Sequence, residues 1–179
     1  MIIVISGPSG VGKSTIINKI NKENNLYFCI SSTTRTIRVN EIDGVDYNFI
    51  SNNQFKSLIE NDELIEHEEY DGNLYGTTYK EVSNKESYEG IILDLEVNGA
   101  ISIMHKYPNS VGIFIDIDNE YLIERLNKRD HTDDIFITKR MDLANKQRKH
   151  KEFFKYNIFN NEINATVNQV NDIINKEIL

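Results

Sequence analysis

Gly7-Pro8-Ser9-Gly10-Val11-Gly12-Lys13-Ser14 follows the spacing G-x-x-x-x-G-K-[ST], and the residue types state the chemistry. Glycines let a loop curl around an anion so that backbone N–H groups point inward. Lys13 can neutralise the β and γ phosphates of a nucleotide, and the Ser14 hydroxyl can take a magnesium ion. Gly7, Pro8, Ser9, Gly10, Val11, Gly12, Lys13, Ser14 and Thr15 are therefore the expected ATP-phosphate site. Asp94 ends the run Gly90-Ile91-Ile92-Leu93-Asp94. A carboxylate at the C-terminal end of a buried strand faces the magnesium or its waters, or else caps the next helix. Glu96, two residues on, shares that face if the strand persists. Between these anchors stands Ser31-Ser32-Thr33-Thr34-Arg35-Thr36-Ile37-Arg38, followed by Glu41, Gly44, Asp46, Tyr47 and Phe49. Two arginines three apart among hydroxyls can clamp a phosphate, or can belong to a solvated basic loop.

The elements that must position these groups alternate between apolar runs and helical segments, the pattern of an α/β fold with a mainly parallel sheet flanked by helices. Expected strands are Ile2 to Ser6, Tyr27 to Ile30, Gly90 to Leu95, Val111 to Ile117 and Asn157 to Phe159. A helix from about Lys13 to Glu23 places Ile16, Ile17 and Ile20 on one face, and Val167, Val170, Ile174 and Ile178 mark a closing amphipathic helix. Two stretches break the rhythm. Residues 31–75 carry short strand-like pieces around a helix near Gln54 to Glu60, and residues 119–149 are helical, rich in Arg and Lys, and read as a mobile flap. The chain of 179 residues is thus expected to be one domain, with a core of about 1–30, 76–118 and 150–179.

Lys plus Arg total 20 against 28 Asp plus Glu, a net charge of −8. That balance argues against a protein that wraps nucleic acid or docks on anionic lipid, so an anionic ligand must find a local basic pocket. Cys29 is the single cysteine, which permits no internal disulfide and suits a reducing, cytoplasmic setting. No apolar run reaches membrane-spanning length, and Met1 to Ile5 is too short for a signal peptide. His67, His105, His131 and His150 show no metal-ligand spacing and read as surface or packing residues.

The ordered series of the Gly7 loop, Ser-Ser-Thr-Thr-Arg-x-x-Arg-x-x-Glu-x-x-Gly-x-x-Tyr-x-Phe, Glu66, Gly72-x-x-Tyr75-Gly76-Thr77 and Leu93-Asp94-Leu95-Glu96-Val97-Asn98-Gly99 resembles the guanylate kinase family. The likeness runs from Ile2 to about Asn160. It implies a P-loop NTPase fold whose segment 31–75 is a GMP-binding insertion and whose segment 119–149 is a lid. It further implies that Arg35, Arg38, Tyr47 and Tyr75 hold the GMP phosphate and that Ser31, Glu66 and Thr77 meet the guanine, with Asp94 and Glu96 on the acceptor side. Guanine presents N1–H and N2–H₂ donors side by side, and an ionised carboxylate only accepts, so Glu66 suits that base and not adenine. Without the resemblance, Glu66 would be one member of the acidic run Glu66-His67-Glu68-Glu69. Arg125, Arg129 and Arg140 resemble the lid arginines that close over ATP, with a charged helix face as the other reading, and Asn160 resembles the residue near adenine.

The implied reaction is ATP plus GMP or dGMP giving ADP plus GDP or dGDP, with Mg²⁺ held by Ser14 and Asp94, partly through water, in a monomer or homodimer. A non-catalytic protein-binding module, or a related kinase with another phosphorylated acceptor, is the alternative. Several residues depart from the family pattern. Ile37 and Asn40 stand where proline and glycine are common, Glu96 where aspartate is usual, and Asp130 where the lid has glycine. Asp116-Ile117-Asp118 replaces a proline-containing segment, and Asn160-Asn161-Glu162 is less acidic than usual.

Overall fold

Ile3, Val4 and Ile5 are all fully buried, which is why β1 (Ile2–Ser6) is an unbroken apolar run rather than an alternating one. Ile3 and Ile5 pack to one face of the sheet and Val4 to the other. In this computed structural model, which describes residues 1–83, 85–130 and 134–178 without the side chains of residues 22, 129 and 130, β1 is the centre of a parallel sheet. Its neighbours are β7 (Gly90–Asp94) and β8 (Val111–Asp116), with β2 (Leu26–Phe28) and β9 (Tyr156–Phe159) outside them, giving the order β2-β7-β1-β8-β9. The second strand ends at Phe28, short of the expected Ile30, because the Ile30 amide is taken at 3.0 Å by the Glu81 carboxylate.

Helices α1 (Lys13–Glu23) and α7 (Ile163–Ile178) cover one face through Ile16, Ile17, Ile20, Val167, Val170 and Ile174. On the other, α4 (Val97–Lys106) packs Ala100 and Ile103 against Val4, Leu93 and Phe114. Beside this core, β3 (Ser32–Thr33), β4 (Asn48–Phe49), β5 (Leu64–Tyr70) and β6 (Asn73–Thr78) form a second sheet in the order β4-β3-β6-β5. Helix α2 (Asn52–Glu60) closes it, started by a capping box between Ser51 and Gln54 and anchored by the buried Phe55. Strand β6 continues three residues past Tyr75 and leads directly into the short α3 (Tyr79–Val82).

The basic stretch forms α5 (Asn119–Asp130) and α6 (Asp134–Arg148). Leu122 and Leu126 of α5 are fully buried in the main core, so the segment expected to move has a fixed root. The far end of α6 is fixed too. Arg148 Nε donates to Asp116 Oδ1 at 2.9 Å and its Nη2 donates to the Ile117 carbonyl at 2.8 Å, which gives the unusual Asp116-Ile117 sequence a structural use. Among the described residues no helix is long and apolar enough to cross a membrane.

Gly7, where β1 turns into the loop, has φ +139° and a Cβ there would lie 2.0 Å from the Ile115 carbonyl oxygen. Gly7→Ala is therefore expected to cost about 2–4 kcal/mol and to weaken ATP binding, read by urea unfolding and nucleotide titration. Unfolding curves that superimpose would contradict the close approach.

Candidate active site

Lys13 opens α1 and folds back over the loop, its Nζ donating to the Gly7 carbonyl at 2.8 Å and lying 3.8 Å from Asp94 Oδ1. Asp94 is in register with Ile5, so its carboxylate emerges where the C-terminal ends of β1 and β7 open together. Burial pushes the Asp94 carboxyl above its ordinary range and the Lys13 charge opposes that shift. Behind the loop, Arg125 Nη1 donates to the Val11 carbonyl at 2.9 Å and Nη2 to the Asn160 carbonyl at 3.1 Å. Asn160 is fully buried and its Nδ2 donates to the same Val11 carbonyl at 2.7 Å. Arg125 and Asn160 therefore brace the phosphate loop. Ser14 and Thr15 remain exposed at the cleft. A hydroxyl and a carboxylate suit a hard cation such as magnesium. Among the described residues no group of three or more His, Cys, Asp or Glu could hold a metal, so phosphate oxygens would have to complete its shell.

The arginine pair expected to clamp a phosphate is organised by a carboxylate. Glu41 takes two bonds from Arg35, at 3.0 and 2.8 Å, and one from the Arg38 backbone N–H at 2.8 Å, and it lies 3.8 Å from Arg38 Nη1. Burial works to raise the Glu41 carboxyl, but the bonds from Arg35 and Arg38 hold it below the usual carboxylate range. The turn between Arg38 and Glu41 passes through Asn40 at φ 70°, a left-handed position that asparagine tolerates. The Arg35 guanidinium lies over the Tyr47 and Phe49 rings at 5.5 and 5.6 Å, and Tyr47 meets Tyr75 edge to face at 6.0 Å. Burial pushes the Tyr47 phenol far up, so its hydroxyl stays a proton donor.

Glu66 and Thr77 face each other across β5 and β6, and the Thr77 hydroxyl shares a 2.8 Å hydrogen bond with Ser31. Glu66 Oε2 rests against Gly99, where a Cβ would approach it to 2.6 Å, so only glycine leaves room for the carboxylate. Oε1 is buried with no hydrogen-bond partner among the described residues. Burial pushes this carboxyl up to about 7; hydrogen bonds from Thr77 oppose the rise and the Glu68 charge adds to it. An unpaired buried acceptor is costly, and N–H donors of a ligand would relieve it.

Arg140 is 8% exposed and reaches from α6 to the tip of the β5–β6 hairpin. Its Nη2 pairs with Asp71 Oδ2 at 3.0 Å, its Nη1 donates to the Tyr70 hydroxyl at 3.4 Å, and Lys139 also pairs with Asp71. Together these groups enclose a cavity of about 530 Å³ lined by Ser9, Gly10 and Gly12 to Thr15 of the loop, by Arg35, Arg38 and Tyr47, and by Tyr75, Asp94, Arg125 and Arg140. A small cleft adjoins it, lined by Ser31, Glu66 and Gly76. Lys13, Tyr47, Tyr75, Asp94 and Glu96 border both.

Of the residues singled out in the sequence, Gly7, Pro8, Val11 and Asn160 stand behind these walls, and Thr77 reaches the cleft through Ser31 and Glu66. The side chain of Arg129, like that of Asp130, lies outside the described residues. Sequence reading gave no role to Glu41, Tyr70, Asp71 or Gln147. Glu41 was findable, three residues past Arg38, and Gln147 falls seven past Arg140 on the same helical face. Asp71 depends on a contact between distant segments.

A family model described as Guanylate kinase matches residues 1–177. The guanylate kinase of Carboxydothermus hydrogenoformans is 40% identical over 182 residues, covering 100% of this chain and 89% of its own length. That of Latilactobacillus sakei subsp. sakei is 38% identical over 183 residues, covering 100% and 90%. The crystal structure of guanylate kinase from Anaplasma phagocytophilum superimposes with a TM-score of 0.82 at 30% identity, covering 100% of this chain and 86% of that one.

The raised Glu66 carboxyl has a consequence for stability. Between its ordinary value of 4.5 and about 7 the folded chain holds more protons than the unfolded one, so stability falls as pH rises through that window. Glu66→Gln should be more stable than the parent at pH 8 by up to about 3 kcal/mol, and the gap should close towards pH 5. Urea unfolding at the two pH values checks this, and a constant gap would mean that Glu66 is held as an anion.

Proposed function

The chain belongs to the guanylate kinase family and transfers a phosphoryl group from ATP to GMP; from that premise we propose how its residues divide the work. The observation that carries the assignment is the shared wall of cavity and cleft. A base seated against Glu66 puts its 5′-phosphate towards Arg35 and Arg38, within the cavity that holds the phosphate loop. The loop amides and Lys13 hold the ATP phosphates. Arg35, Arg38, Tyr47 and Tyr75 hold the acceptor phosphate, and Ser31, Glu66 and Thr77 read the base.

The acceptor phosphate, with a second pKa near 6, is largely dianionic at neutral pH and needs no protein base. One of its oxygens forms a bond to the γ-phosphorus as the bond from that phosphorus to the bridging β–γ oxygen breaks, and ADP leaves with the electron pair. Catalysis is then positioning plus charge neutralisation. Arg140 supplies charge where the transferring group passes, with Arg125 supporting the loop and Arg129 assigned to the same lid by the resemblance alone. Magnesium, when bound with ATP, supplies charge on the phosphate oxygens, and Ser14 and Asp94 are the residues that would hold it. Segment 31–75 with the end of β6 acts as the GMP-binding unit, and segment 119–149 acts as the lid, rooted by Leu122 and Leu126 at one end and by Arg148 at the other. The deoxy acceptor dGMP belongs to the same substrate class.

A coupled assay of ADP release with ATP and magnesium against GMP, dGMP, AMP, CMP and UMP tests the acceptor assignment. Turnover is expected with the two guanine nucleotides alone, and Glu66→Gln should lower kcat/KM for GMP by about 10²-fold or more. Folded protein that binds ATP yet turns over none of the five would point to another acceptor or to a binding role. Arg38→Ala should raise the GMP KM and lower kcat, with about 10²-fold lost in kcat/KM; kinetics matching the parent enzyme would remove Arg38 from the clamp.

A further inference from the structure

Helix α6 buries an unusual face. Its buried residues are Arg140, Ala144 and Gln147, spaced four and then three apart on one side of the helix, where leucine or isoleucine would ordinarily sit. Arg140 and Gln147 are seven residues and about 10 Å apart along the axis, and they reach different walls of the cleft. Arg140 meets Asp71 and Tyr70 at the hairpin tip. Gln147 donates from Nε2 to Glu96 Oε2 at 2.6 Å, at the start of α4. With Glu96 ionised, the pairing orients the carboxamide, because the reverse would set Oε1 against a carboxylate.

Glu96 is free to make this contact for a reason visible in the neighbouring elements. It occupies the N-cap position of α4, yet its side chain bonds none of the first-turn amides. Glu68 of β5 does that instead, accepting from the Gly99 N–H at 3.0 Å and from Asn98 Nδ2 at 2.6 Å. The Glu96 carboxylate can therefore lie where the phosphate cavity and the base cleft meet, bordering both. Gln147 is 8% exposed, and its Oε1 is buried with no partner among the described residues, a cost that packing alone does not explain.

We infer that Gln147 is a positioning residue for acceptor binding: its carboxamide holds Glu96 at the mouth of the base cleft and ties that wall to the helix carrying Arg140. The inference rests on the reading of Glu96 as an acceptor-side residue. Seating of α6 and seating of GMP are then linked through one hydrogen bond, while ATP, held at the phosphate loop, is not.

Steady-state kinetics and thermal melts of Gln147→Met, Glu96→Gln and the double variant test this. Methionine keeps the length and bulk of glutamine and removes the donor. Gln147→Met should raise the GMP KM about tenfold with little change in ATP KM or kcat, and without lowering Tm. The double variant should be no worse than the more severe single one, since both remove the same bond. Multiplying effects, or a lowered Tm and kcat with the parent GMP KM, would make Gln147 a packing residue only and overturn the inference. If Gln147→Met does not fold, Gln147→Asn, which withdraws the donor by one methylene, should show the same rise confined to GMP, and a parent-like GMP KM there would overturn it equally. An effect in Glu96→Gln with none at Gln147 leaves the reading of Glu96 standing and refutes the tie. A parent-like GMP KM in Glu96→Gln refutes that reading, and the tie falls with it.

Discussion

Charge must wait in a cleft that receives phosphates, and waiting charge is costly to bury unless the protein supplies a partner. Among the described residues, the cations of this cleft are held by protein oxygens. Lys13 lies against the Gly7 carbonyl and Asp94, Arg35 and Arg38 lie against Glu41, Arg125 lies against two backbone carbonyls, and Arg140 lies against Asp71. These partners differ in what they ask of a ligand. Carbonyls and Glu41 fix a cation in place and can remain when phosphate arrives, because each guanidinium has donors to spare. Asp71 lines the phosphate cavity itself, so a phosphate drawn to Arg140 meets a carboxylate there and must share the guanidinium or displace it.

The topology follows from that requirement. A parallel sheet delivers the Gly7 loop and Asp94 side by side at the ends of β1 and β7, and no antiparallel hairpin could place a helix N-terminus and a carboxylate in that crevice. The second sheet has a different task. Alternate residues of β5 point into the site, so Glu66, Glu68 and Tyr70 form one row that borders the small cleft, caps the start of α4 and meets Arg140 in turn. One strand thus sets the distance from the cleft at Glu66 to Arg140 on α6, which a loop could not fix as firmly.

Much of this was legible in the residues and some was not. The phosphate loop, its strand and its helix are a local pattern, and the bounds of β1 and α1 read from sequence are those observed. The proposed clamp and base residues rest on an ordered series of motifs, and the chain's place in the family accounts for why that series could be read. Contacts made across the cleft could not be read this way. Glu41 stood in the quoted motif without a role, because its two arginines become a single unit only once the turn at Asn40 folds back. Asp71 carries no signal in the sequence, and Gln147 falls in a stretch that reads only as helical and rich in Arg and Lys. Strand β2 ended early through a side chain 51 residues away in sequence, Glu81 at the Ile30 amide. Periodicity records which side of an element is apolar and says little about a helix whose buried side is polar.

Helix α6 is that case, and its composition is informative. Beside Ile137, Met141 and Ala144, which pack with the main core, Arg140 and Gln147 bring a buried Nε and a buried Oε1 that find no partner among the described residues. Such a face is poorly matched to a purely structural helix, since every unpaired group subtracts from stability. It is well matched to a helix whose best packing is reached only with ligand present. The anchors at Arg148 and at Leu122 and Leu126, with Ile137, Met141 and Ala144 against the main core, then take on the structural work. In the proposed lid role, the reactants complete this polar face, and water has least access when phosphoryl transfer can occur.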